Sequence, residues 1–255
     1  KSHDDPRIRY FYAPEHTILY KARNIAIVEA KGELLAFLDI DDWWEPQKLE
    51  IQVPIFTNKE VGLVCGNYEV FYEEAMWGRP AWQGQKPSGF ILNDLLVDYH
   101  IALATIVLRR STFEALGGFN SDYQVIGDFD ISLRLAESWQ IETVEQIIAH
   151  FRMHGDNISI QNKQLHLEEM KTWINEARVR IVDMKLPGFV KLEQLILFLE
   201  GQNAIDKGQL LQVLRKLQQL FPSLSFCKLA LHVIFPYSWL LFFRKMSNQY
   251  LESQR

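Results

Sequence analysis

The chain has 255 residues, 48% hydrophobic and 23% charged, with a formal net charge of −5 at pH 7. That is enough apolar material for one full core, or one core and a smaller appended unit, and the negative balance argues against a protein held to nucleic acid by phosphate contacts. Cys65 and Cys227 stand far apart, outside any Cys-x-x-Cys or Cys/His cluster, which argues against a disulfide scaffold or zinc site and fits a reducing compartment.

Residues 7–12 (RIRYFY) read as a short strand after the turn-like Asp4-Asp5-Pro6. Residues 17–31 read as a helix: Ala22, Ala26 and Ala30 recur four apart, and Lys31-Gly32 gives a cationic last turn and a glycine stop. Residues 33–38 form a strand with almost no polar alternation, as expected of one covered on both faces. Residues 42–45 match a capping box with Pro46 in the first turn, which predicts a helix through Leu49, Val53 and Phe56, kinked or ended at Pro54. Residues 61–72 read as a strand and 76–88 (MWGRPAWQGQKPS) as a loop. Residues 101–108 (IALATIVL) read as a buried strand, 111–116 as a short helix stopped by Gly117-Gly118, 128–139 as a helix and 143–151 as a strand. Beyond Ser159 the chain is rich in Leu, Gln and Lys and reads as helical, with a break at Phe221-Pro222. The alternation of strands and helices predicts an α/β layered domain over 1–159 and a helical C-terminal extension over 160–255.

In layered α/β sheets the chemistry sits just past the carboxyl ends of strands. There, Asp39, Asp41 and Asp42 place three carboxylates within four positions. Such a cluster repels itself, and a hard divalent cation, Mg2+ or Mn2+, compensates it. In an extended segment Asp39 and Asp41 point the same way and can serve one ligand, while Asp42 turns away to cap the next helix. An EF-hand would need glycine where the chain has Trp44. A phosphatase of the haloacid dehalogenase type would continue Gly-Thr where the chain has Asp42-Trp43.

Residues 22–52 run from Ala22-Arg23-Asn24 through LLAFLDIDDWW to EPQKLEIQ; residues 109–134 carry RRSTFEALGGFN and then GDFDISLRL; residues 151–159 read FRMHGDNIS. In order and spacing these blocks closely resemble family 2 glycosyltransferases, nucleotide-sugar-dependent enzymes with the GT-A fold, a Rossmann-type mixed sheet flanked by helices. The resemblance covers roughly residues 7–160 and implies an inverting transfer from a nucleoside-diphosphate sugar to a hydroxyl of a glycan, polysaccharide or lipid-linked sugar. It implies that Asp41 coordinates the metal bridging the diphosphate, that Asp39 contacts the ribose or the metal's water shell, and that Arg23 contacts the nucleotide. Asp128 aligns with the general base, and Asp130 pairs with a neighbour or assists acceptor binding. Gly127 departs from the Glu-Asp that members usually carry. His154 would complete the metal or diphosphate site, and Arg152 would hold phosphate oxygens.

Trp77 and Trp82 are candidates for an acceptor wall, while His100 reads as structural. Family members open with a strand–helix–strand that holds the nucleobase, and the chain enters the pattern midway. The expectation is therefore an N-terminally incomplete piece that transfers little sugar until extended. The absence of a Gln-x-x-Arg-Trp motif favours single-sugar transfer over polymerisation. Residues 229–245 are a candidate for peripheral contact with a membrane, in a cytoplasmic protein working at its inner face. Two further readings stand beside the leading one: a non-catalytic sugar-nucleotide- or protein-binding relative, motivated by Gly127 and the missing first half, and a hydrolase that uses Asp39.

Overall fold

The structure is a computed structural model that describes residues 5–12, 15–155, 157–181 and 186–234. The chain divides into two compact units, Lys1–Asn162 and Lys163–Arg255. The first is built on one mixed sheet of β1 (Leu34–Ala36), β2 (Trp43–Trp44), β3 (Val61–Tyr72), β4 (Trp77–Pro80), β5 (Val107–Arg109) and β6 (Gln140–Met153). The strand order is β1-β5-β3-β6-β2, with β4 also pairing β3. β3 and β6 run parallel, and the other pairs are antiparallel. Its helices are α1 (Leu19–Glu29), α2 (Lys48–Gln52), α3 (Leu92–Val97), α4 (Arg110–Ala115), α5 (Gly127–Ala136) and α6 (Ile158–Gln161).

β3 is buried continuously over its first seven residues and α5 over most of its length. This is why neither segment alternates cleanly with polar residues: both faces are covered. β6 runs alongside nearly all of β3, from Gln140 beside Val61 to Met153 beside Tyr72, with local shifts of register on the way. It therefore delivers His150, Arg152 and His154 to the same end of the sheet as the close of β1.

Four expectations are corrected. Residues 7–12 form no strand; a strand needs a partner's ladder of hydrogen bonds, and no described strand runs beside them. The predicted helix starts only at Lys48, because Trp43 and Trp44 are drawn into extended pairing with Ala149 and His150. Asp42 therefore caps nothing. Pro54 falls in a 3-10 turn, Val53–Thr57, that follows α2. The supposed loop at 76–88 contains β4, which pairs Trp77–Pro80 with Glu69–Tyr72; β5 reaches only Leu63 and Val64 of β3, and β4 covers the far end of the same edge. Residues 101–108 are buried as predicted, but they turn through a 3-10 segment, Leu103–Thr105, before the short β5.

A buried polar cluster joins α2 to the sheet. Gln52 donates to the carbonyls of Val64 (3.0 Å) and Thr105 (2.8 Å), and its own oxygen accepts the Lys48 ammonium at 2.7 Å. Lys48 has no exposed surface and lies 4.5 Å over the Trp44 ring. Burial pulls its pKa down to about 7, while the Gln52 oxygen and the indole face partly offset the loss of water.

The second unit consists of α7 (Lys163–Arg180), α8 (Pro187–Asp206), α9 (Leu210–Leu220) and α10 (Leu224–Ile234). Gly201 of α8 meets Leu229 of α10 so closely that a Cβ would lie 2.4 Å from the leucine. Glu200 of α8 binds Lys171 of α7 and Lys216 of α9, tying three helices together. The predicted break at Phe221-Pro222 separates α9 from α10. Most of 229–245, the proposed membrane-contacting stretch, lies outside the described residues. Among the described residues no helix is long and apolar enough to cross a membrane.

Lys48 makes a testable contribution to stability. Between its folded pKa of about 7 and the ordinary lysine value of 10.5, the unfolded chain binds the extra proton, so stability should rise with pH across that window. Lys48→Met is expected to flatten that slope and to stabilise the protein at pH 7, by on the order of a few kcal/mol. Urea melts of both proteins at pH 7 and pH 9.5 check this; equal slopes refute it.

Candidate functional site

The chain leaves β1 at Ala36 and turns at Ile40-Asp41, where the Asp42 N–H donates to the Asp39 carbonyl at 3.2 Å. The segment is thus a turn rather than an extension of the strand, and its three acids go to three partners. Asp39 pairs with Arg23 of α1. Asp41 Oδ2 lies 3.0 Å from His154 Nε2, just beyond β6. Asp42 accepts the backbone N–H of Arg152 at 2.9 Å. Burial, with the charges of Asp41 and Asp39 adding to it, pushes the Asp42 carboxyl up to about 6 against the lowering effect of the Arg152 N–H. Asp39 and Asp41 thus reach separate partners from a turn, rather than lying side by side in an extended segment.

Aromatic stacking and a histidine hold this turn on the sheet. Trp43 stacks on His150 with ring centroids 4.7 Å apart and planes 7° apart, and the Arg152 guanidinium lies 5.5 Å over the same indole. His150 is held between Glu45 at 2.6 Å and Glu69 at 2.8 Å. Arg152 also reaches Glu73 at 3.2 Å, while its Nε is buried with no hydrogen-bond partner among the described residues. Asn157 fastens the end of the strand, accepting the His154 N–H at 2.6 Å and donating to the Arg152 carbonyl at 3.1 Å. Sequence reasoning missed His150, Glu45, Glu69 and Asn157 as parts of this arrangement. For His150, Glu45 and Glu69 spacing carries no signal, because their contacts join residues far apart in the chain, whereas those of Asn157 are local.

Asp128 sits half-buried in the first turn of α5. Burial pushes its carboxyl above the ordinary value, opposed by the Phe129 N–H and by the charge of Arg23. The Tyr20 phenol lies 3.3 Å from Asp128 Oδ1. Arg23, one turn further along α1, lies 5.0 Å over the Tyr20 ring. A continuous series of contacts therefore runs Asp39–Arg23–Tyr20–Asp128, bringing together Arg23, Asp39 and Asp128 of the expected site residues.

Asp130 goes elsewhere. It is buried and paired with Arg134 at 2.7 Å, and the same guanidinium donates to the carbonyls of Leu116 (2.8 Å) and Gly118 (2.7 Å). Asp130 thus holds the turn before α5, in line with the first of its two expected roles, pairing with a neighbour. Gly117 and Gly118 make that turn with φ of 76° and 82°, values that favour glycine. Asn24 closes it from α1, donating to the Phe119 carbonyl at 2.8 Å and accepting the Phe119 N–H at 3.0 Å.

Of the two loop tryptophans, Trp82 is buried edge-on against Tyr68 and His100, so it is a packing residue rather than an acceptor wall. Trp77 is 39% exposed and stacks on Tyr72. His100 is buried, as a structural histidine should be. Tyr68 and Tyr99 both feel the charge of Asp128, which adds to burial in raising their phenols.

Among the described residues no group of three or more His, Cys, Asp or Glu side chains is arranged to hold a metal ion. The turn offers instead the Asp41–His154 pair, one carboxylate oxygen and one imidazole nitrogen. Mg2+ and Mn2+ commonly bind through one or two protein ligands, the other positions being filled by substrate phosphates and water. The pair fits such an ion, whereas Asp39 is engaged by Arg23.

The mixed sheet flanked by helices is GT-A-like, and it carries an acidic turn at the end of β1 and a raised carboxylate on a following helix. Residues 1–117 match the family model Glycosyl transferase family 2. The chain is 34% identical over 140 residues to the β-1,3-glucosyltransferase WfgD of Escherichia coli, named for UDP-Glc and α-D-GlcNAc-diphosphoundecaprenol; the match covers 54% of this chain and 53% of that protein. It is 28% identical over 187 residues to a chondroitin synthase of Pasteurella multocida, covering 69% of this chain and 18% of the other. The chain thus spans 53% of one of these relatives and 18% of the other. Among solved structures, it superposes on a mannosyltransferase from Pyrobaculum calidifontis in complex with GDP-Man and Mn2+ with a TM-score of 0.49 at 18% identity, covering 89% of this chain and 63% of that one.

The Asn24 clamp is open to a direct check. Asn24→Ala removes both hydrogen bonds to Phe119 and should destabilise the protein by about 1–3 kcal/mol. Amide exchange should accelerate at residues 117–121 before it does so elsewhere. Unchanged protection there would show that the turn does not depend on Asn24.

Proposed function

We propose that the chain carries the reacting centre of an inverting glycosyltransferase, which moves a sugar from a nucleoside-diphosphate sugar to a hydroxyl of a glycan or lipid-linked sugar during cell-envelope or polysaccharide synthesis. The observation that carries the reading is the contact series from Asp39 to Asp128. It sets an acidic turn, suited to a diphosphate and its cation, beside a carboxylate whose proton affinity is raised. The WfgD relative suggests UDP-glucose and a diphosphoundecaprenol-linked sugar as first substrates to try.

In this reading Asp128 takes the proton of the acceptor hydroxyl as that oxygen attacks the anomeric carbon. The bond from that carbon to the diphosphate breaks in the same displacement, with inversion. A carboxylate with raised proton affinity is the stronger base for this step. Asp41 and His154 would hold Mg2+ or Mn2+, which when bound stabilises the negative charge on the departing diphosphate. Asp39, oriented by Arg23, faces the ribose or the water around the cation. The buried Nε of Arg152 is a donor for a phosphate oxygen.

Asp128→Asn should lower turnover by about 10²–10⁴-fold while leaving binding of UDP-glucose within a few-fold of the parent. Nucleoside-diphosphate release, measured with a panel of UDP- and GDP-sugars and a GlcNAc-diphosphoundecaprenol acceptor, provides the readout. Chelation should stop the reaction, and added Mg2+ or Mn2+ should restore it. Full turnover by Asp128→Asn removes the base from the mechanism. A product that retains the donor's anomeric configuration removes the single displacement.

A further inference from the structure

The usual Glu-Asp of the resemblance is Gly127-Asp128 in this chain, and the structure supplies a steric reason. A Cβ on Gly127 would lie 2.5–2.6 Å from three atoms of the Tyr20 ring, so the ring fills the space that any side chain at 127 would need. Tyr20 is buried, with Phe119 at 5.1 Å and the Arg23 guanidinium at 5.0 Å from its ring. Its hydroxyl lies 3.3 Å from Asp128 Oδ1, 3.3 Å from the Asp128 backbone nitrogen and 3.4 Å from the Val125 carbonyl. A hydroxyl has one proton and two acceptor lone pairs. It accepts the Asp128 N–H, one of the donors that a helix start leaves without an intrahelical partner. Its proton is shared between the carboxylate and the Val125 carbonyl.

We propose that Tyr20, seated in the notch left by Gly127, is the positioning residue that aims the Asp128 carboxylate at the acceptor hydroxyl and ties its orientation, through Arg23, to the acidic turn. The inference rests on the glycosyl-transfer reading above. Tyr20 touches no reacting atom and acts through Asp128. The titratable or charged groups facing that carboxylate are Tyr20 and Arg23 from α1, Tyr68 from β3 and Tyr99 beyond α3. The Tyr20 hydrogen bond and the Arg23 charge favour its ionised form, against burial.

Tyr20→Phe keeps the ring in the notch and removes only the hydroxyl. In the full-length protein, assayed with UDP-glucose and a GlcNAc-diphosphoundecaprenol acceptor or with the best pair from the panel, kcat at pH 7 should fall tenfold or more while donor KM changes less than twofold. The acidic limb of the kcat profile should move to higher pH, because the ionised carboxylate has lost a donor. Replacing Tyr20 with 2,3-difluorotyrosine keeps both ring and hydroxyl but makes the phenol a stronger donor, and should move the limb the other way. A limb that ignores the acidity of the phenol overturns the proposal even if Tyr20→Phe folds poorly. Asp128→Asn separates the two levels: if it retains turnover, the glycosyl-transfer reading fails and takes this inference with it. If it is inactive while Tyr20→Phe matches the parent in kcat and pH profile, only the inference about Tyr20 fails.

Discussion

The candidate site depends on a two-residue strand. Trp43 and Trp44 pair with the end of β6, and that pairing turns a cluster of like charges into a defined loop. It sets Asp42 against the Arg152 N–H and brings Asp41 to His154. Two hydrogen-bonded residues alone would be marginal. The stacking of Trp43 on His150 and the closure of His150 between Glu45 and Glu69 supply what the short ladder lacks.

The long parallel pairing of β3 and β6 sets the position of that anchor. β6 runs beside nearly the whole of β3, so its C-terminal residues emerge where β1 ends. The sheet thereby places groups from residues 39–42 and 150–157 together, more than 100 positions apart in sequence. Electrostatics then distributes the acids. Asp39 and Asp130 are each paired with an arginine, and Asp41 lies against a histidine. Asp42 and Asp128 are left with raised proton affinity, burial being the main cause in both.

α1 joins the two halves of the site. Successive turns of it present Tyr20 to Asp128, Arg23 to Asp39 and Asn24 to the glycine turn before α5. Its own capping is weak, with no side-chain hydrogen bond at its N-terminus, so tertiary contacts rather than local signals hold it. Phe119, which packs on Tyr20, Phe37 and Phe113, is the apolar centre of those contacts.

Much of the chain is legible in its amino-acid order alone. The strand-forming residues 61–72 locate β3, the Gly117-Gly118 pair locates the end of α4, and three spaced blocks locate the family resemblance and Asp39, Asp41, Asp128 and His154 as site candidates. These features are local, or repeat a known order of motifs, and a single sequence carries them. What the tertiary structure decides is partnership. Asp42 has the look of a helix cap because Glu45 follows at capping-box spacing, but cross-strand pairing at Trp43 outweighs that local preference. Asp130 cannot be told from Asp128 by spacing; only the fold gives Asp130 to Arg134 and Asp128 to Tyr20. Trp82 stands in a Gly- and Pro-rich stretch that suggests exposure, yet the formation of β4 buries it. Tyr20 carries no signal at all, since its importance lies in a notch created by a glycine more than 100 residues away. Sequence determines which chemical groups are present and which local geometries they prefer; long-range pairing determines which of them meet, because those contacts depend on distant register that no local pattern encodes.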